Sequence, residues 1–101
     1  QPVIEKNLIR GAVIYIDSFQ NVITNITKEF FNQVQQGRNF TLSFKRNETI
    51  NNLSWYYNEV PEGDKLCLFG IRDHLEIAIN KGNAAGLLCL SLGDTVILDF
   101  E

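Results

Sequence analysis

The sequence predicts an all-β domain, a small β-barrel carrying one or two short helices. Three observations carry that expectation. Short runs of β-branched and aromatic residues recur along the chain, Gly, Pro, Asn and Asp cluster between them, and a single longer stretch shows helical periodicity. Gly11, Gly63, Gly70 and Gly93 fall at strand ends or turns, where a closing sheet must bend, and this favours a barrel over a sandwich. An α+β domain would instead require the one helix to cover an open sheet.

Taken in order, Arg10 to Asp17 is a β-branched and aromatic run, and Asn21 to Ile26 resumes it after the polar connection Ser18-Phe19-Gln20. Thr27 then reads as a helix N-cap, Phe30, Phe31 and Val34 share one helical face, and Gly37 stands where a helix would stop. Phe40, Leu42 and Phe44 alternate with Thr41, Ser43 and Lys45, the period of a strand with one buried face. Arg46-Asn47-Glu48 reads as a turn, and a polar and aromatic segment follows, ending in Trp55-Tyr56-Tyr57. Val60-Pro61-Glu62-Gly63-Asp64 is a strong turn signal, because Pro presets φ and Gly accepts φ > 0. Lys65 to Ile71 and Leu75 to Asn80 are strands joined by the polar connection Arg72-Asp73-His74. Asn83 caps a helical turn over Ala84 to Leu88, and Leu92-Gly93-Asp94 turns into a last strand, Thr95 to Phe100.

With 101 residues, 45% of them hydrophobic and 21% charged, residues 1–101 form one domain with one core. The net charge is −3 and the basic residues are scattered apart from Lys45-Arg46, so no footprint for nucleic acid is present. No apolar run reaches the roughly 18 residues of a membrane span, and no basic segment followed by an apolar one opens the chain. A soluble, cytoplasmic protein with no membrane partner is expected. The chain begins at Gln1 rather than Met, as expected of a piece cut from something longer or of a processed chain. Cys67 and Cys89 lie among Leu and Phe and are expected to be free thiols in the core. Asn25, Asn39, Asn47 and Asn52 each open an Asn-x-Ser/Thr triplet, which keeps a secreted glycoprotein module as a third reading.

Self-contained catalysis is not expected. The one His, His74, sits in a connection, no His/Cys/Asp/Glu spacing suits a metal, and no phosphate-binding glycine loop is present. No catalytic residue, metal or cofactor is therefore assigned. Polar groups at strand ends have a different promise. Asp17, Phe19 and Asn21 share one connection, Tyr57 ends an aromatic run, and Arg72 sits on a second connection. Together they offer an aromatic face, an amide for an adenine edge, a guanidinium for a carboxylate and a carboxylate for an ammonium. Each also has a purely structural reading, as turn-forming, core or solvated residues.

The run Arg10-Gly11-Ala12-Val13-Ile14-Tyr15-Ile16-Asp17-Ser18-Phe19-Gln20-Asn21-Val22-Ile23-Thr24-Asn25-Ile26 closely resembles the opening of the C-terminal domain of the S-adenosylmethionine hydroxide adenosyltransferases, relatives of the fluorinases and chlorinases. Val60 to Asp64, Leu75 to Ala85 and Leu92-Gly93-Asp94 resemble the rest of that domain in order and spacing. The resemblance implies the C-terminal, substrate-binding barrel of a two-domain enzyme whose catalytic N-terminal α/β domain is absent from this chain. It implies a homotrimer in which S-adenosylmethionine, as substrate rather than cofactor, lies between this barrel and a neighbouring subunit's N-terminal domain. Hydroxide then displaces methionine and leaves adenosine.

By resemblance, Asp17 meets the methionine amino group, Asn21 the adenine edge, and Phe19 lies beside it. Tyr57 stacks on adenine, with Tyr56 one residue away. Arg72 and the backbone N–H of Ile71 face the methionine carboxylate, and Asn80 is a further contact. Two departures stand in the binding loops. Ile71 replaces a family Ser, and Gln20 replaces a Gly, which predicts strain of order 1 kcal/mol if φ is positive there. These departures sustain an alternative: a non-catalytic barrel for oligomerisation or interaction whose binding loops have decayed.

Overall fold

A computed structural model describes residues 2–101, apart from the side chains of Arg46 and Ile71. The elements in chain order are β1 (Val3–Glu5), β2 (Leu8–Ile16), β3 (Val22–Thr27), α1 (Lys28–Gln35), β4 (Phe40–Phe44), β5 (Glu48–Ile50), β6 (Lys65–Phe69), β7 (His74–Ile79), α2 (Ala84–Leu87) and β8 (Thr95–Phe100). Antiparallel pairing runs β5-β4-β8-β2-β3-β7-β6, with β1 added beside β2. The two ends of this path nearly meet. Ser54 N donates to the Cys67 carbonyl at 2.9 Å, Leu53 and Cys67 form a parallel bridge, and Lys65 pairs with Glu48. The all-β barrel predicted from the alternation is thus the observed architecture.

The barrel interior follows from the period of two. Phe40, Leu42 and Phe44 of β4 face inward with Val96, Leu98 and Phe100 of β8, and Leu75, Ile77 and Ile79 of β7 join them. Helix α1 supplies Phe31, whose ring makes edge-to-face contacts with Phe40, Phe69 and Phe100 at centroid distances of 5.2, 5.3 and 5.6 Å. Thr27 caps this helix, its side chain accepting from Phe30 N at 3.2 Å, and left-handed residues Gln36 and Gly37 end it. At Gly11 in β2 a Cβ would lie 2.7 Å from both Asn25 Oδ1 and Ile26 Cγ1, so only glycine fits.

On the outward face of β6 and β7, Leu66, Leu68 and Ala78 form a second, smaller apolar cluster with Val60. The segment between β5 and β6 supplies that cover. Its 3₁₀ turn, Tyr57–Glu59, is held by Glu59, whose carboxylate accepts from Trp55 N at 2.8 Å and Tyr56 N at 2.9 Å.

Some expectations need correction. Short strands β1 and β5 have no alternation long enough to read. His74 begins β7 rather than ending a turn, its Nδ1 lying 2.9 Å from the Thr24 carbonyl. Both cysteines are free, but only Cys67 is in the core. Cys89 is half-buried and lies at a turn with φ of 56°. Burial pushes the Cys67 thiol up to about 12. Among the described residues no helix is long and apolar enough to cross a membrane.

Candidate functional site

The β2–β3 connection is organised by Asp17. Its Oδ1 accepts from Phe19 N at 3.0 Å and Asn21 N at 2.8 Å, and Asn21 Nδ2 reaches its Oδ2 at 3.3 Å. This is the turn-forming role Asp commonly takes, and it fixes the Asn21 side chain at the same time. Gln20 occupies the left-handed region at φ of 68°, the conformation in which a non-glycine residue is strained. Its carbonyl accepts from Ala85 N at 3.0 Å, which ties the loop to the start of α2. Phe19, at the tip, is 78% exposed.

A second wall comes from β7 and the chain that crosses it. Glu76 is only 3% exposed although it lies on the outward face of β7. Tyr57 Oη donates to Glu76 Oε1 at 3.0 Å. The other carboxylate oxygen lies over Gly70, where a Cβ would come within 1.7 Å of Oε2. Glycine at 70 is therefore what admits the carboxylate. Partial burial, the Glu76 hydrogen bond and the charges of Glu76 and Asp17 together push the Tyr57 phenol up to about 12.

The third wall is the turn after β7. Lys81 takes φ of 55°, and a Cβ at Gly82 would lie 2.5 Å from Ile79 Cγ2. Asn83 caps α2 by accepting from Gly86 N at 2.7 Å. Asp17, Phe19, Asn21, Tyr57, Gly70, Glu76 and the segment 79–83 without Asn80 together line an open cleft of about 710 Å³. Its walls are mostly apolar with a few convergent polar groups, the usual make-up of a small-molecule site.

A family model described as SAM hydroxide adenosyltransferase C-terminal domain matches residues 11–97. The chain belongs to this family. Its fold is also that of two crystal structures. An uncharacterized conserved protein from Thermotoga maritima is 26% identical with a TM-score of 0.81, the match covering 98% of this chain and 38% of that one. A conserved hypothetical protein from Thermus thermophilus is 25% identical with a TM-score of 0.71, covering 91% and 34%. The chain thus spans little more than a third of the length of these proteins.

Within this domain the structure gathers Asp17, Phe19, Asn21 and Tyr57 into one cleft, with Tyr57 rather than Tyr56 on its wall. Arg72 does not line it and stands exposed on the β6–β7 connection at φ of 57°. The Ile71 side chain lies outside the described residues. Asn80 is turned to the scaffold: its Nδ2 donates to the Val60 carbonyl at 2.8 Å, and its backbone pairs with Gly63 and Asp64. Glu76, Lys81, Gly82 and Asn83 are lining residues that sequence reasoning missed. For Glu76 a signal existed, a lone charge within the apolar run Leu75 to Ile79.

Proposed function

We propose that this domain supplies one half of an S-adenosylmethionine site in an enzyme that transfers the adenosyl group to hydroxide. The C5′–S bond breaks with its electron pair going to sulfur, a C5′–O bond forms, and adenosine and methionine result. The observation that carries this reading is the convergence of Asp17, Phe19, Asn21 and Tyr57 on one cleft in a chain of this family. Asn21 is held through Nδ2 by Asp17, which leaves its Oδ1 to accept from an exocyclic amino group. Tyr57 and Phe19 offer ring faces for the base. Asp17 Oδ2 takes the methionine ammonium, while Arg72 and the Ile71 N–H, on the connection that begins at Gly70, take the carboxylate. Asn80 acts through the turn it holds.

The cleft is open, and no carboxylate–histidine pair or metal cluster that could activate water stands in it among the described residues. As the family resemblance implies, we assign activation of water to an N-terminal domain contributed by a neighbouring subunit of a homotrimer. Calorimetric titration with S-adenosylmethionine tests the reading. Asn21→Ala removes a partner from a buried base edge, and we expect binding weaker by roughly 1–3 kcal/mol, about 5- to 150-fold. An unchanged affinity would remove Asn21 from the site.

A further inference from the structure

Glu76 has no part in the reading above, yet it is the most deeply buried charged side chain of the cleft, at 3% exposure. We infer that Glu76 is a specificity-determining residue that makes the cleft select a positively charged ligand, favouring the sulfonium of S-adenosylmethionine over an uncharged thioether of the same skeleton. This rests on the adenosyl reading of the cleft.

A carboxylate withdrawn from water is costly unless donors or opposite charge replace its hydration. Asp17 is well served, with two backbone N–H groups on Oδ1 and an amide on Oδ2. Glu76 receives a neutral phenol on Oε1, and its Oε2 is aimed over side-chain-free Gly70, a lining residue of the same cleft. Lys81, the cleft's cation, has its ammonium 3.6 Å from Glu62 at an exposed position, 73% and 71% accessible. The cleft thus holds Glu76 and Asp17 facing inward against a lysine drawn to its rim. A cation entering it meets uncompensated negative charge in a partly desolvated place, where Coulomb attraction is several times stronger than in water. The Tyr57 phenol is raised first by partial burial and then by Glu76 and Asp17, in keeping with negative charge on both walls.

The test titrates the 101-residue chain with S-adenosylmethionine and with S-adenosylhomocysteine, which lacks the sulfonium charge, at low ionic strength. We expect a preference of about tenfold for the sulfonium, which shrinks as salt is added. Glu76→Gln keeps shape and a partner for Tyr57 while removing charge. It should narrow the preference to within about threefold by weakening the sulfonium alone, with an unchanged circular dichroism spectrum. Equal affinities in the wild type, a preference insensitive to salt, or a full preference surviving in Glu76→Gln would each overturn the inference. Binding of neither compound would overturn the adenosyl reading itself and this inference with it. The two wild-type comparisons can still overturn the inference if the variant fails to fold.

Discussion

Strand β7 is buried on both faces, and the faces are built by different rules. Leu75 and Ile77 point into the barrel among side chains from β2, β3, β4 and β8, a closed apolar interior that Ile79 continues to the edge of the cleft. Glu76, Ala78 and Asn80 on the opposite face are buried by one crossing segment, whose Tyr57 and Val60 cover them through a hydrogen bond to a carboxylate, an apolar patch and a bond to a side-chain amide. The inward face stabilises by area removed from water, whereas the outward face stabilises only while its polar partners stay matched. The contrast teaches where a ligand can enter: the interior is filled, and the outward face keeps a cleft with a charge on its wall.

The comparison breaks first at Ile77, which is fully buried. Ile77→Ala should destabilise by about 2–5 kcal/mol in urea unfolding, the range for an aliphatic deletion in a packed core. A loss below about 1 kcal/mol would mean that the interior is not tightly packed. On the outward face, Gly70→Ala puts a methyl group into the Glu76 carboxylate and should cost about 1–3 kcal/mol. It should also displace the Tyr57 ring, visible as a changed near-ultraviolet spectrum, which Ile77→Ala does not require.

An alkaline transition probes both faces together. Tyr57 and Cys67, one on each side of the sheet, are held neutral to about 12 from ordinary values of 10.0 and 9.0. Because the folded state raises both, their contribution is fully present below pH 9 and fades as pH climbs through 12. Stability should therefore fall over that interval. Tyr57→Phe should remove the part of the fall due to the phenol, and folded protein should leave Cys67 unalkylated at pH 8.

How much was legible in the sequence divides along the same line. The inward face was, because Phe40, Leu42 and Phe44 alternate over a full strand, and because Thr27 and Asn83 use capping chemistry that is local in sequence. The loop Asp17 to Asn21 was legible for the same reason, since Asp17 bonds its own neighbours, whereas the positive φ at Gln20 entered only as a condition of the family resemblance. Glu76 was not. Its burial depends on Tyr57, 19 residues away, and no local pattern announces which segment will cross a strand's outer face. Lys81 to Asn83 were hidden likewise, because a turn at a strand's end looks the same whether it faces solvent or a cleft.

The central claim is that this outward cleft holds the adenosyl half of the substrate. Backbone amide chemical shifts recorded during titration with adenosine test it most directly, since even millimolar binding, about −4 kcal/mol, is readable. We expect saturable shifts at Asp17 to Asn21, Tyr57, Gly70, Glu76 and Lys81 to Asn83, with the inward-facing residues of β4 and β8 unmoved. Saturable shifts centred elsewhere, or none at millimolar adenosine, would contradict the account.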